Sequence, residues 1–312
     1  MLRKPTLLIS LTATTVLAAI TFLAAITFLA AAIPSPAYAS GAFSLNDPSR
    51  SIIGTRQTYF VKNDETLMDV AVEYDVGYNA IAEANRDMDP WVLDKGREVT
   101  LPTQWLLPDT MDEGVLINLA EMRLYHFLKT PMGDRFVQTF PIGIGVEGYN
   151  TPTGTYRITA KIKDPVWRVP EHIRKENPER PALVPPGPDN PLGTHWLQLS
   201  ISGYGIHGTT KPLGVGRRVS SGCIRLYPED IITLFRFVGV GTKVKIVDEP
   251  VKVGKYKGSV YIEIHANGFD ENRLKRLALQ KLGQKSLLGE VDTMRLLSAV
   301  KSPSGLPTII SN

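Results

Sequence analysis

Short segments rich in apolar, β-branched and aromatic residues recur between residues 113 and 248, a pattern typical of strands. Two of these segments, 115–119 and 123–127, are separated by three residues and predict a hairpin. Further strands are expected at residues 136–141, 156–160, 195–199 and 242–247. A helix with one apolar face is predicted between Pro228 and Gly239. The pattern therefore predicts a mainly β domain, a sandwich or barrel with one short helix.

The segment 57–102 has a different pattern, in which apolar residues at helical spacing lie between two short strands. One helix is predicted to begin after Asp64 or Thr66 and to end near Gly77. A second short helix is predicted to end near Asn85. This order predicts a small βααβ domain.

The other regions carry weaker patterns. Residues 40–56 are polar, contain glycine and serine, and predict a linker. The proline-rich stretch from Pro178 to Leu192 predicts a lid or binding loop. Residues 250–312 predict a small α/β unit, in which we find no candidate chemistry. Its predicted elements are a strand at residues 260–264 and helices near residues 271–282 and 291–300.

The first 39 residues have the layout of an export signal. Arg3 and Lys4 precede an apolar run over residues 7–33, and Ala37-Tyr38-Ala39 is a small-residue cleavage site. A tandem copy within the run, residues 19–24 and 25–30, lengthens it toward the roughly 20 residues that span a bilayer. Cleavage after Ala39 is the first interpretation and a retained membrane anchor is the second. Both place the remaining chain outside the cytoplasm.

Charge argues against one class of partner. The chain has 35 Lys and Arg residues and 31 Asp and Glu residues, a formal net charge of +4. Removing the export signal takes away Arg3 and Lys4, which leaves a net charge of +2. No block of Lys and Arg resembles a nucleic-acid footprint, so nucleic-acid binding is not indicated.

Cys223 is the only cysteine, and an unpaired thiol in an exported protein suggests that its reactivity is used. A thiol with a pKa of roughly 8.5 needs a base or a cationic environment to become a nucleophile at neutral pH. His207, followed by Gly208, lies sixteen residues earlier, a separation that suits two loops meeting at the ends of neighbouring strands. Gly222 frees the backbone for a turn that presents the sulfur. These residues predict a nucleophile and its base.

Neighbouring residues have candidate roles in substrate binding. The backbone N–H groups of Ser221, Gly222 and Cys223, next to Ser220, are candidates for holding an oxyanion. Arg225 is a candidate for binding a substrate carboxylate. Each residue of the string also has a structural alternative, as a core, turn or surface residue. A zinc site is not indicated, because the remaining histidines have no ligand spacing.

Taken together, this string resembles the catalytic motif of the L,D-transpeptidases with a YkuD-type domain, enzymes that act on bacterial peptidoglycan. In that family a histidine followed by Gly or Ser precedes a Ser/Thr-His-Gly-Cys motif, and this chain has Ser221 where many members have the second histidine. The matching residues are His207-Gly208, Ser220, Gly222, Cys223 and Arg225. Further matches over residues 113–248 are Pro141-Ile142-Gly143-Ile144-Gly145, Thr151-Pro152-Thr153-Gly154, Asn190-Pro191-Leu192-Gly193 and Gly241-Thr242.

The resemblance implies a mechanism. The thiolate of Cys223 attacks the third residue of a tetrapeptide stem, and His207, oriented by the Gly208 carbonyl, acts as base and then as acid. A thioester results, and no metal or organic cofactor is expected. A diaminopimelate amine would resolve it to a 3→3 crosslink, the C-terminal lysine of an outer-membrane lipoprotein to an anchor, and water to an L,D-carboxypeptidase product. The resemblance further implies a Gram-negative periplasmic enzyme, with the lipoprotein-anchoring subgroup favoured by domain order.

Residues 57–102 resemble a LysM domain, a glycan-binding module of wall proteins. The matching residues are Tyr59, Val61, Asp64-Glu65-Thr66-Leu67, Val70-Ala71, Tyr74, Val76, Ile81, Asn85, Gly96 and Leu101-Pro102. Binding of peptidoglycan glycan containing N-acetylglucosamine is implied by this resemblance. A rival interpretation combines an active LysM unit with a degenerate catalytic domain, which would make the chain a non-catalytic, peptidoglycan-binding structural protein.

Overall fold

The computed structural model describes residues 41–109 and 113–311. The predicted export signal or anchor over residues 1–39 lies outside the described residues. Within the described part of the chain, no helix has the length and apolar character needed to cross a membrane.

The N-terminal unit contains the predicted βααβ order. Its elements are β1 (Ala42–Ser44), β2 (Ile52–Gly54), β3 (Gln57–Phe60), α1 (Leu67–Glu73), α2 (Tyr78–Ala84), β4 (Glu98–Leu101) and β5 (Gln104–Leu106). Strand β3 pairs antiparallel with β4, and β2 pairs with β5. Helix α1 begins in a capping box, because the Thr66 hydroxyl accepts from the Asp69 N–H and the Asp69 carboxylate accepts from the Thr66 N–H. Whether this unit is a LysM domain stays a prediction.

The central unit is mainly β, as the sequence pattern predicts. Its strands are β6 (Gly114–Asn118), β7 (Arg123–Lys129), β8 (Arg135–Pro141), β9 (Ile144–Gly145), β10 (Gly154–Lys163), β11 (Trp167–Arg168), β12 (Leu183–Val184), β13 (His195–Leu199), β14 (Gly205–His207), β15 (Arg218–Ser220), β16 (Ile224–Arg225) and β17 (Lys243–Val247). Its helices are α3 (Glu171–Glu176) and α4 (Pro228–Phe237). The hairpin β6–β7 and the helix after Pro228 are both present.

One nine-stranded sheet organises this unit, in the order β1-β8-β7-β6-β17-β10-β13-β14-β16. Both faces of β6 are buried, because Val115 and Ile117 pack in the central core while Leu116 packs against the N-terminal unit. This burial explains why the β6 residues Val115, Leu116 and Ile117 are all apolar.

The structure differs from the predicted linker over residues 40–56. Strand β1 pairs with β8 at the edge of the nine-stranded sheet, and β2 pairs with β5. Phe43 packs edge-on against Trp105, with 6.2 Å between ring centroids. Three-residue strands are too short for their alternation to stand out in the sequence, which is why the pattern predicted a linker.

The C-terminal unit has the predicted α/β character. Its elements are β18 (Val251–Tyr256), β19 (Ser259–Ile264), α5 (Glu271–Gln284), α6 (Thr293–Lys301) and β20 (Thr308–Ile309). The strands form an antiparallel sheet in the order β18-β19-β20. Asp270 and Asp292 cap the two helices through their side chains.

The N-terminal and central units are joined by hydrogen bonds as well as by apolar packing. The N–H groups of Tyr78 and Asn79, at the start of α2, donate to the carbonyls of Val215 (3.4 Å) and Gly216 (3.1 Å). Gly216 has φ +76°, and a Cβ there would meet the Tyr78 nitrogen. The Tyr227 hydroxyl donates to the Val76 carbonyl at 3.1 Å.

Candidate active site

Two neighbouring parallel strands place His207 and Cys223 at one edge of the main sheet. Strand β14 ends at His207, and β16 begins immediately after Cys223. The two strands pair in parallel, with Ile206 opposite Ile224 and His207 opposite Arg225. In this register Cys223, one residue before Ile224, lies level with Gly205, two residues before His207 on the neighbouring strand.

His207 is a buried, neutral imidazole with one anchored nitrogen. Its Nδ1 lies 2.6 Å from the Gly208 carbonyl oxygen, and its ring stacks on Trp196 with 5.7 Å between centroids. A carbonyl only accepts, so Nδ1 carries the proton and Nε2 has the free lone pair. Burial and the Arg225 charge lower the pKa of His207 to about 4, against the opposing effect of the Gly208 and Leu192 carbonyls.

Cys223 is half-buried, and its Sγ lies 3.5 Å from the Gly203 carbonyl oxygen, which accepts the S–H. Burial raises the pKa of the thiol, although the Gly205 N–H and the Arg225 charge favour the thiolate. The thiol therefore needs a base to become a nucleophile at neutral pH.

The turn that carries the thiol is held by two hydroxyl groups. Ser220 Oγ donates to the Cys223 carbonyl at 2.6 Å and accepts from the Gly222 N–H at 3.2 Å. From the other side, Thr151 Oγ1 donates to the Gly222 carbonyl at 2.8 Å. Gly222 has φ +105°, and a Cβ there would meet the Tyr204 ring at 2.5 Å. Glycine is therefore required at this position by both backbone and space.

Arg225 is a half-buried cation on the strand that follows Cys223. Its charge acts on both Cys223 and His207. Its Nε is buried and has no hydrogen-bond partner among the described residues. A guanidinium with an unsatisfied N–H can bind a carboxylate in a forked pair.

The thiol opens into a cavity of about 800 Å³. One wall comes from residues 164–193, which we name the covering segment; it contains β11, α3 and β12. The side chain of Asn190, fully buried, holds the base of this segment by donating to the carbonyl of Pro165 at 2.8 Å. The predicted loop from Pro178 to Leu192 is thus part of the wall, although one short strand, β12, interrupts it. The cavity is lined by residues that include Trp167, Glu171, His172, Trp196, Tyr204, Ser221 and Cys223.

A second histidine reaches the cysteine turn from the covering segment. Nε2 of His172 lies 3.0 Å from Ser221 Oγ. The His172 ring also stacks on Tyr149, with 4.3 Å between centroids and 23° between planes. The sequence analysis did not find this contact, because His172 is 49 residues from Ser221 and has no motif around it. The position of His172 shortly before the predicted lid at Pro178–Leu192 was the one available signal.

The structure brings together the predicted site residues Cys223, His207, Gly208, Ser220, Ser221, Gly222 and Arg225. Their roles remain predictions. Gly208 lies as expected, with its carbonyl on the imidazole. The Gly222 N–H, predicted as an oxyanion donor, here donates to Ser220 Oγ.

A separate group of titratable side chains is buried where the three units meet. Ligand atoms of Glu121, Glu263 and His265 lie within 4.8 Å of one another. The ammonium of Lys252 contacts Glu121 and Glu263, each at 2.6 Å, and accordingly occupies the position that a cation would take. His265 lies between Glu83 (3.0 Å) and Glu263 (2.9 Å). The C-terminal unit therefore contributes buried charge that its sequence did not reveal.

Comparison with known proteins agrees with the site. The L,D-transpeptidase catalytic domain (YkuD) matches residues 112–246. "Probable L,D-transpeptidase YcfS" of Escherichia coli (strain K12) is 41% identical over 244 residues, which cover 75% of each chain. "Probable L,D-transpeptidase YbiS" of the same strain is 39% identical over 277 residues, covering 84% of this chain and 89% of that protein. The catalytic domain of the E. faecium L,D-transpeptidase, solved by NMR, has 21% identity and a TM-score of 0.34, and covers 45% of this chain and 99% of that one. This chain belongs to the family of L,D-transpeptidases with a YkuD catalytic domain.

Proposed function

We propose that the protein is a peptidoglycan L,D-transpeptidase in which Cys223 forms a thioester with a tetrapeptide stem. The observation that carries the proposal is the neutral His207 imidazole, anchored through Nδ1 on Gly208 and placed beside the strand that follows Cys223. A neutral imidazole with a free Nε2 can accept a thiol proton at neutral pH.

The acylation step follows from this arrangement. Nε2 of His207 takes the proton of the Cys223 thiol as sulfur bonds to the carbonyl carbon of the third stem residue. The tetrahedral oxyanion needs N–H donors, for which the backbone of Ser221 and Cys223 is the candidate. When the carbon–nitrogen bond breaks, the imidazolium returns the proton to the amine of the leaving D-alanine. Arg225 is the candidate for binding a carboxylate of the substrate.

Deacylation reverses these roles. An acceptor amine attacks the thioester, gives its proton to His207, and expels Cys223, which is reprotonated to the thiol. A diaminopimelate amine yields a 3→3 crosslink, a lipoprotein lysine yields a wall anchor, and water yields a tripeptide. Incubation with tetrapeptide muropeptides, with and without a lysine-ended lipoprotein peptide, separates the three by the masses of the products.

The direct test of the nucleophile is Cys223→Ala. The full chain is exposed to a carbapenem and its intact mass is measured. We expect one covalent adduct on the native protein and none on Cys223→Ala, with Cys223→Ser as the near-isosteric control. An adduct on Cys223→Ala, or acyl transfer by it, would end the cysteine mechanism. A native protein that forms no adduct would favour the non-catalytic wall-binding interpretation.

We further propose that the N-terminal unit binds wall glycan and that the protein acts in the periplasm after export. Trp91 is 55% exposed and stacks against Tyr78 at 6.0 Å, beside Pro90, whose carbonyl accepts from the first N–H of α1. An exposed aromatic ring of this kind can stack on a sugar face. Co-sedimentation with insoluble peptidoglycan should fall for Trp91→Ala and be unchanged for Met132→Ala, an exposed apolar side chain on the central unit.

A further inference from the structure

We propose that His172 is a positioning residue of this site, which holds the covering segment on the cysteine turn through its hydrogen bond to Ser221. The inference rests on the proposed function only in taking Cys223 as the reacting group. It concerns how far the cavity opens above the sulfur.

The first observation is the contact itself. Nε2 of His172 and Oγ of Ser221 are 3.0 Å apart, a good hydrogen-bond distance. Ser221 is two residues before Cys223 and lines the same cavity. Among the hydrogen bonds of residues 41–109 and 113–311, this is the one that joins the covering segment to the turn at residues 220–223.

The second observation is the support behind the imidazole. The His172 ring stacks on Tyr149, and the Tyr149 carbonyl lies against the same turn, since a Cβ on Gly222 would lie 3.4 Å from it. Tyr149 is itself fixed by the bond from its N–H to the Val146 carbonyl at 3.0 Å. The imidazole thus has a rigid surface on one side and a hydroxyl at its tip, which restricts the ring to the orientation that reaches Ser221.

The third observation is how few other groups hold this part of the wall. Helix α3 has six residues, no buried side chain and no side-chain cap at its start. Its ion pair, Lys175 with Glu171, is exposed at both ends and adds little stability. The base of the segment is held by Asn190, but the part over the thiol has His172 as its polar attachment. Loss of this bond would therefore allow α3 to move away from Cys223.

Two substitutions separate the parts of this contact. His172→Gln places an amide nitrogen and oxygen near the position of Nε2 and keeps the hydrogen bond without the stack. His172→Phe keeps the stack on Tyr149 and removes the hydrogen bond. Ser221→Ala removes the partner, and the double variant His172→Phe/Ser221→Ala tests whether His172 acts through Ser221.

The measurement uses the single cysteine as its reporter. Cys223 of the full chain is alkylated with iodoacetamide, which is small, or with a fluorescein maleimide, which is bulky, and both rates are followed by intact mass. We expect His172→Phe to raise the ratio of the maleimide rate to the iodoacetamide rate about fivefold, the effect of one net hydrogen bond on an opening equilibrium. His172→Gln should stay near the native ratio, and Ser221→Ala and the double variant should both match His172→Phe.

The contrary results are equally distinct. An unchanged ratio in His172→Phe, or a His172→Gln variant as altered as His172→Phe, overturns the hydrogen-bonded attachment. A double variant whose effect is the product of the single effects shows that His172 acts independently of Ser221 and also overturns the proposal. Thermal unfolding of each variant checks that the fold is intact. Alkylation needs no wall substrate, so the result stands apart from the carbapenem test of the proposed function.

Discussion

Two buried histidines of this protein have opposite charge states. His207 and His265 are 3% and 2% exposed, so burial disfavours the imidazolium in both. At His207 burial wins and lowers the pKa to about 4, because its anchored nitrogen faces a neutral carbonyl and the nearby Arg225 is positive. At His265 burial also lowers the pKa, but hydrogen bonds to Glu263 and Glu83 and their charges override it and raise the pKa to about 9.

The difference shows that hydrogen-bond partners can suit the same side chain to two different purposes. Both nitrogens of His265 are committed to carboxylates, so its proton stays and the ring serves the contact between the three units. His207 has one committed nitrogen and one free lone pair, which suits proton transfer. The partners, rather than the depth of burial, decide which imidazole is neutral and which is charged.

The largest expected effect comes from replacing each histidine by glutamine. We expect His207→Gln to slow carbapenem acylation of Cys223 by about 10²–10⁴, the range for loss of a general base, with little change in stability. His265→Gln should lower the free energy of unfolding and leave the acylation rate of the folded protein unchanged. Stopped-flow acylation and urea unfolding measure the two quantities. A folded His265→Gln protein that is acylated as slowly as His207→Gln would refute the separation of a proton-transfer role for His207 from a stabilising role for His265.

The next effect concerns the ammonium that balances the buried carboxylates. Lys252→Met leaves Glu121 and Glu263 without the cation they share at 2.6 Å each. Breaking a buried pair by removing one partner costs about 3–5 kcal/mol, so the urea midpoint should fall markedly. The matched control is Lys255→Met on the same strand, whose pair with Glu290 is exposed and should contribute about 0–1 kcal/mol. Equal losses of unfolding free energy in Lys252→Met and Lys255→Met would show that the buried ion pairs of Lys252 matter no more than an exposed pair.

The contributions of His265 and His207 to the free energy of unfolding should change with pH in opposite directions. The folded pKa of His265, about 9, lies above its ordinary value of 6.5, so its contribution to stability is complete below pH 6.5 and is lost as the pH rises through about 9. The stability difference between native protein and His265→Gln should therefore shrink by on the order of 3 kcal/mol over that range. The pKa of His207 is lowered instead, so its contribution to stability is complete above pH 6.5 and is lost as the pH falls through about 4.

The same reasoning predicts the acid limb of the reaction. Cys223 acylation should decline only as the pH falls toward about 4, where His207 becomes protonated. The acylation rate should be measured between pH 3.5 and 8, with unfolding followed in parallel to show that the protein stays folded. An acid limb near pH 6.5 would mean that the imidazole is not held neutral in the manner described.

The smallest effect extends the comparison to a buried carboxyl at which the charge of Arg123 does not offset burial and a neighbouring carboxyl. Asp230 is buried, its Oδ2 has no hydrogen-bond partner among the described residues, and burial and the neighbouring Asp75 raise its pKa well above the ordinary value. A raised carboxyl pKa destabilises the fold increasingly as the pH rises. We expect Asp230→Asn to stabilise the protein at pH 8 by about 1 kcal/mol and by less at pH 5. Glu229→Gln, an exposed neighbour, is the control for thermal unfolding, and a destabilised Asp230→Asn protein would refute the prediction.

His207 and the strands around it were accessible from the sequence, and the buried charge was not. The two apolar segments over 115–127 predicted the hairpin because each is short and only three residues separate them, and His207 and Cys223, each next to a glycine, stood out by residue type and spacing. Lys252 and Glu263, in contrast, occupy strand positions where the pattern expects a solvent-facing charge. Their burial depends on the packing of three units, and a local pattern has no access to that.

His172 was missed for a related reason. Its partner Ser221 belongs to the motif, but the contact depends on the path of the covering segment, which proline and glycine leave without a periodic pattern. The predicted lid at Pro178–Leu192 identified the correct region of the chain without identifying the side chain that attaches it.

The bonds between helix α2 and the loop at Val215 and Gly216 have a consequence for how such a protein can be rearranged. Another binding module could not simply replace the N-terminal unit. Gly216 packs so closely against Tyr78 that no side chain would fit there, and it lies only seven residues before Cys223. Any replacement would have to reproduce that backbone contact or shift the strand leading to the thiol. The N-terminal and central units are therefore joined through their backbones. A ligand bound to the N-terminal unit would lie at a fixed distance from the sulfur of Cys223.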